Sequence, residues 1–388
     1  MRNLAYLLFF LLAFSIESIG QNNFTLPEKI DVSIFSGSLI KDISFTNLEG
    51  RYYIYSENEE QELAIRKFSS VRVQAKNDTV QVLRMDTVVF AAKKVYLSGH
   101  GFNNYLLINP LATDLPFRIY DDDIIITASE SNIKLINHVA LEKYVAAVVQ
   151  SESGFLRHPV YYEVQATIAR TYALKNINRH AHEQHNLCDR VHCQAYYGKT
   201  SYQPIIDAVN NSKGTIIVDE NNMPVNTVYH ANCGGETINS EDLWGSPLPY
   251  LRSVKDTFCL NSPGANWQMK VNAKEVYDFI EDNFNIKLEE KELSYIQNFY
   301  QNSRKLFFDE TQLIHLKYIR EQFGLRSTFF SVALENDSLI FNGRGFGHGV
   351  GLCQEGAMRM AELGFSKDSI IKYFYYNVNL INLEDNFR

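Results

Sequence analysis

Long apolar runs are missing from all but the first twenty residues of this 388-residue chain. Elsewhere no stretch approaches the ~18 consecutive apolar side chains of a spanning helix, so the body of the chain is not expected to cross a bilayer that way. Positive charge is scarce too: 37 Lys and Arg stand against 45 Asp and Glu, for a net charge of −8. Nucleic acid and anionic lipid both demand a basic footprint, so neither is expected as the main partner, and a neutral or mixed-charge polymer fits better. Cysteine is sparse. The five present (Cys188, Cys193, Cys233, Cys259 and Cys353) are too few for a disulfide scaffold, and their odd number leaves at least one free or metal-bound in an oxidising compartment. A nucleotide loop is also absent. No register of the glycine-rich segment gives a dinucleotide fingerprint or the lysine and hydroxyl of a phosphate-binding loop, so no nucleotide cofactor is expected.

What the first twenty residues hold is an export pattern. Arg2 supplies the positive start, Leu4 to Phe14 is an unbroken apolar run, and Ser18-Ile19-Gly20 places small residues before Gln21. The run is too short to span, and no cysteine near position 20 could carry a lipid. A signal peptide over residues 1–20 is expected, with a retained N-terminal anchor as the alternative. The mature chain is then expected in the periplasm or outside the cell.

The expected architecture is α+β. Residues 21–136 read as a β-rich N-terminal region, with alternating runs such as Asp31 to Phe35, Ser70 to Gln74 and Lys94 to Ser98 between Gly, Asn and Asp turns. It holds no paired carboxylates, histidine cluster or glycine loop and reads as scaffold. Residues 137–388 read as a mixed α/β catalytic domain with a substrate groove. At Leu141 the period changes, and Leu141, Tyr144, Val145, Val148 and Val149 fall on one helical face. Gly154 and Pro159 interrupt, and Glu163 to Lys175 reads as a second helix. Further helices are expected over Lys274 to Lys291, Thr311 to Phe323, Gln354 to Glu362 and Ser366 to Tyr376, with strands at Phe329 to Leu334 and Ser338 to Phe341.

Glu152 therefore falls at a helix–turn junction, where a carboxyl can be partly desolvated while its tip faces a cleft. A solvated helix-end carboxylate is the plainer alternative. Three other clusters carry chemistry. Arg179 to Cys193 packs four histidines and two cysteines into fifteen residues, donors that suit zinc, though a disulfide between Cys188 and Cys193 remains open. Tyr229 to Thr237, with Asp242 to Gly245 and Pro249 to Leu251 beyond it, offers paired glycines and the flat rings of Trp244 and Tyr250, on which a sugar could stack. Cys233 lies near His230 and could pair with Cys259 or serve as a thiol nucleophile. Gly343 to Gly351 places glycine at every second position, which in an extended segment leaves Arg344, Phe346 and His348 on one side and a bare face on the other.

Taken in order, Leu141 to Glu152, Gln165 to Leu174, Cys193 to Tyr196, Tyr229 to Thr237 and Gly343 to Ala357 resemble the motifs of the stage II sporulation protein D family, over roughly residues 137–377. The resemblance implies a peptidoglycan lytic transglycosylase, with Glu152 as general acid and then base. It would cleave between N-acetylmuramic acid and N-acetylglucosamine to give 1,6-anhydro ends on glycan stripped of stem peptides. It also implies zinc on His182, Cys188 and Cys193, and a cell-wall amidase as partner. Arg170, His230, Arg344, His348 and Gln354 are the candidates for holding the glycan strand. The chain departs from the family pattern at Ser153 and Gly154, where methionine and proline are usual, and at Cys353, where serine is common. Two other functions stay open: a non-catalytic glycan-binding module that assists an amidase, and a hydrolase using Cys233 or Cys353.

Overall fold

Strands dominate from Lys29 to Ala140 because the apolar residues there alternate. A computed structural model describes residues 25–58, 60–308 and 314–384; the expected signal peptide lies outside them. Eleven strands form one sheet, whose path runs Leu187–Cys188, Lys29–Ile34, Asn132–Ala140, Asp123–Ser129, Lys94–Pro110, Asp42–Ser56, Ser70–Lys76, Thr79–Arg84, Thr87–Ala92. Glu62–Ile65 and Arg118–Asp121 pair onto it from the side. Ile43, Phe45, Val71, Val73, Ile124 and Ile126 are buried at every second position, as a sheet with one face on a core requires. Residues 136 and 137, on either side of the expected boundary between the two regions, are neighbours inside the strand Asn132–Ala140.

That strand runs directly into helix α1, Leu141–Ser153, which buries Leu141, Tyr144, Val145, Val148 and Val149 as the periodicity predicts. Gly154 ends it at a φ of 67°. Helix α2, Pro159–Lys175, starts four residues before the sequence-based reading. Pro159 does not interrupt it; at the first helical position its missing N–H costs nothing, and His158 caps the turn by accepting from the Val160 amide. Twelve of the 17 side chains of α2 are buried, so its polar groups are satisfied locally: Thr167 and Thr171 donate back to the Glu163 and Thr167 carbonyls. Sheet and helices share one core, in which each buried Val, Ile or Leu contributes about 1.5–3 kcal/mol.

A second core is built by residues 266–344. The strands Asn266–Asn272, Ser338–Arg344 and Phe330–Glu335 form a three-stranded antiparallel sheet, and the helices Ala273–Phe284, Glu290–Gln297 and Leu316–Phe323 close over Phe299, Phe308, Phe330 and Phe341. The single helix expected over 274–291 is two, because Asn285 adopts a left-handed φ of 52° after Phe284. The one expected over 311–323 begins at Leu316, capped by His315; residues 311–313 of that expectation lie outside the described residues. This lobe leaves and rejoins the body at adjacent points, since Asn266 pairs with Arg344 and the Gly345 amide donates to the Ala265 carbonyl.

Arg170 belongs to the first core. Its side chain is fully buried and donates from Nε and Nη2 to both carboxylate oxygens of Glu142, at 2.8 and 2.6 Å, and from Nη1 to the Thr215 carbonyl at 3.1 Å. The expectation that it lines the groove is corrected: the guanidinium joins α1 to α2 and to the strand Thr215–Val218. Arg170→Leu should destabilise by about 3 kcal/mol, the low end for a broken buried pair because Glu142 keeps some water contact. Urea unfolding measures it, and Arg170→Leu with Glu142→Leu should recover part of the loss.

Candidate active site

Glu152 occupies the last turn of α1, on the side of a cleft of about 500 Å³. The facing wall is the two-residue strand Tyr229–His230, paired in parallel with Leu352–Cys353. Between them the cleft is lined by Glu152, Tyr229, His230, Trp244, His348 and Gln354, with Tyr172, Arg179, His192 and Cys193 at one end. A wider depression of about 900 Å³ lies on the second lobe between Glu289 and Lys305 and holds none of the expected site residues.

The glycine-rich segment makes this wall possible, though not as an extended ribbon. Gly345, Gly347, Gly349 and Gly351 all take positive φ, so the segment coils along residues 228–234 instead of alternating faces. A Cβ on Gly345 would lie 2.7 Å from the Asn232 carbonyl oxygen, and one on Gly351 would strike the Val228 carbonyl. Only glycine permits both the conformation and the approach. Arg344 is thereby turned away from the cleft: its guanidinium stacks 3.9 Å from the Phe329 ring and donates to the Asn302 carbonyl. His348 remains in the cleft.

Burial pushes the Glu152 pKa above the ordinary carboxyl value; hydrogen bonds from the Ala195 amide, at 2.9 Å to Oε1, and from the Tyr229 hydroxyl pull it partly back. A carboxyl so placed is suited to donate a proton and to take one back. It is the only carboxylate lining the cleft among the described residues.

His230 and His348 stand 5.4 Å apart, centroid to centroid. Desolvation is the main reason both resist protonation, with His348 held down to about 4 and His230 well below its usual value, so both are neutral hydrogen-bonding groups at neutral pH. His230 Nδ1 lies 3.1 Å from the Val350 carbonyl, while its Nε2 and the Gln354 Nε2 are buried without a partner. Two orphaned nitrogens in one cleft call for a polar ligand. Trp244, 46% exposed and 5.7 Å from His348, presents an apolar ring beside them; Tyr250, its companion in the sequence reading, is buried, with its hydroxyl taken by the Asn226 amide.

Sequence reasoning missed Arg179 as a cleft residue. Its Nη1 donates to the Tyr172 hydroxyl at 3.1 Å, and it reaches the cleft where Arg170 does not. The signal was its place beside the histidine cluster.

That cluster gathers differently from the expected set. His182 is exposed and faces Glu183, whereas His180 and His192 join Cys188 and Cys193 with ligand atoms within 4.8 Å of one another. Cys193 Sγ lies 3.4 Å from His180 Nε2, which is 3.3 Å from His192 Nε2; Cys188 Sγ lies 3.6 Å from His192 Nε2. Glu183 holds His180 Nδ1 at 2.8 Å, the carboxylate support that metal-binding histidines usually have. Two thiols and two imidazoles at these spacings fit zinc. All five cysteines are free thiols.

A family model described as "Stage II sporulation protein" matches residues 129–218, from before α1 to the end of the strand Thr215–Val218. The chain is 30% identical over 274 residues to the stage II sporulation protein D of Bacillus subtilis, covering 66% of this chain and 77% of that protein. Against the Bacillus amyloliquefaciens protein of the same name it is 27% identical over 271 residues, 63% and 75% of the two chains. It is also 22% identical over 273 residues to a Bacillus subtilis protein named amidase enhancer, covering 56% of this chain and 37% of that one.

Removing the Tyr229 hydroxyl removes a bond that favours ionised Glu152. In Tyr229→Phe the Glu152 pKa should therefore rise further above its already raised value. Carboxyl-carbon NMR titration of both proteins checks the direction; an unchanged or lowered value would contradict the bond.

Proposed function

Because the chain belongs to the stage II sporulation protein D family, we propose that it is a lytic transglycosylase acting on the glycan strands of bacterial cell wall. Membership itself supports a cell-wall-related role. The finer reading is carried by one observation: a half-buried Glu152, its pKa raised by desolvation, is the one carboxylate lining the cleft among the described residues, where ordinary glycosidases use a second as nucleophile or base.

With one carboxyl, the nucleophile must come from the substrate. Glu152 protonates the glycosidic oxygen as the bond from C1 of N-acetylmuramic acid to that oxygen breaks. The C6 hydroxyl of the same sugar attacks C1, and its proton passes to the Glu152 carboxylate. The products are a free N-acetylglucosamine hydroxyl end and a 1,6-anhydro muramic end; the enzyme regains its proton and no water is consumed. Neutral His230 and His348, with Gln354, suit the acetamido groups, Trp244 suits a sugar face, and Arg179 suits the muramic carboxylate. The preferred substrate is glycan already stripped of stem peptides, and the protein is exported. Among the described residues no helix is long and apolar enough to cross a membrane.

His180, Cys188, His192 and Cys193 are the residues that would hold zinc. A metal there would fix the loop that ends at Ala195, whose amide orients Glu152. Zinc content should fall in His180→Ala and stay unchanged in His182→Ala, as read by elemental analysis of the purified chains.

The second reading, a non-catalytic module that stimulates a cell-wall amidase, is favoured by the relative named amidase enhancer. Digestion of peptide-free and intact cell-wall glycan by the wild type and Glu152→Gln separates the two. The transglycosylase releases anhydro-muramic ends, with a rate that falls as pH rises through the Glu152 pKa; folded Glu152→Gln should lose at least about a hundredfold of it. If neither protein cuts while both bind glycan and stimulate an amidase, the modifier reading replaces the enzyme.

A further inference from the structure

We propose that Cys233, Asp256, Cys259 and Cys353 form a second metal site, a buried set of three thiolates and one carboxylate that takes zinc(II). It is separate from the His180 to Cys193 cluster and does not depend on the glycan reading. The four residues come from three segments: the turn after the strand Tyr229–His230, the turn at 256–259, and the residue that caps the helix Gln354–Glu362. All four are 0% exposed, and their ligand atoms lie within 4.8 Å of one another. Cys233 Sγ is 3.4 Å from Cys259 Sγ and 3.2 Å from Asp256 Oδ2. Ligands of a tetrahedral zinc, with bonds of about 2.0–2.3 Å, stand about 3.3–3.8 Å apart, so a small contraction or expansion seats the ion.

The surroundings favour charged ligands. The Cys233 and Gly356 amides donate to Cys353 Sγ at 3.3 and 3.4 Å, the second from the first turn of the nine-residue helix that Cys353 caps. Arg304 brings a guanidinium alongside, its Nη2 donating to the Cys233 carbonyl at 2.6 Å. Asp256 accepts from the Phe258 amide but has no ion-pair partner among the described residues. A buried carboxylate without a cation is costly. A Cys233–Cys259 disulfide would leave that carboxyl and the Cys353 thiol stranded, whereas one divalent cation satisfies all four. Binding involves no redox change: the three thiols release their protons, Asp256 binds as carboxylate, and the resulting charge of −2 faces the amides and Arg304.

The position gives the site a task. Cys353 immediately precedes Gln354, and Cys233 follows His230 by three residues, so a metal here would fasten both strands of the cleft wall to each other.

The test uses the mature chain carrying Cys188→Ser and Cys193→Ser, which removes the other cluster's sulfur donors and leaves this one whole. Elemental analysis and native mass spectrometry should find about one zinc per chain, lost in a further Cys259→Ser. X-ray absorption at the zinc edge should show about three sulfurs and one lighter atom, a reading that needs no Cys259 variant should that one fail to fold. A chain without zinc, or one whose zinc has fewer than three sulfur neighbours, overturns the proposal. So does a denatured mass about 2 Da low with a Cys233–Cys259 cross-linked peptide, which would make the pair a disulfide.

Discussion

The hydrogen bond from the Ala195 amide to Glu152 is the contact on which the cleft depends. It is short and easily made, but it exists only if the segment Cys193 to Tyr196 lies against the end of α1. Tyr196 secures that. Its ring packs 5.0 Å from Tyr144 on α1 and 5.5 Å from Tyr120 on the sheet, and its hydroxyl donates to Asn137 at 2.6 Å. Asn137 in turn donates to the Asp121 and Asp123 carbonyls. A chain of satisfied buried groups thus runs from the N-terminal sheet to the proposed catalytic carboxyl, and the β-rich region becomes part of the site's support although it contributes no residue to the cleft.

The same economy of charge marks the cleft itself. Burial holds Glu152 towards its protonated form and both histidines in their neutral forms, so the floor and wall facing a substrate carry little net charge. A polysaccharide with acetamido groups meets donors and acceptors there without paired ions having to be stripped of water first. The ionic residues near the cleft lie at its end, where Arg179 sits.

Much of this was legible in the residues. Helix α1 and the place of Glu152 follow from apolar spacing, because a half-buried helix must repeat its apolar face every three or four residues. What was not legible depended on choices that spacing cannot encode. Arg170 and Arg179 are both cations near the motif, and only the fold shows that α2 buries the first against Glu142 and leaves the second at the cleft. His180 and His182 are two residues apart on a tight turn, and its geometry decides which faces the cysteines. The glycines at 343 to 351 announced close packing correctly, but alternate spacing suggested an extended strand where positive φ produces a coil. Pro159 was read as a breaker when it starts a helix, since the same residue serves either purpose according to what precedes it.

The second lobe enters and leaves through one narrow neck, with Ala265 and Gly345 joined by a backbone hydrogen bond and Trp267 laid across Gly343. Because the two ends of the excursion are held together at its base, the chain makes it without displacing the wall that resumes at Gly345, and the lobe then reaches back to that wall, where Arg304 donates to the Cys233 and Glu236 carbonyls. The lobe thus works as a buttress entered by one door: its outer surface is open to change, whereas a change that shifts Arg304 is felt at once in the wall behind His230.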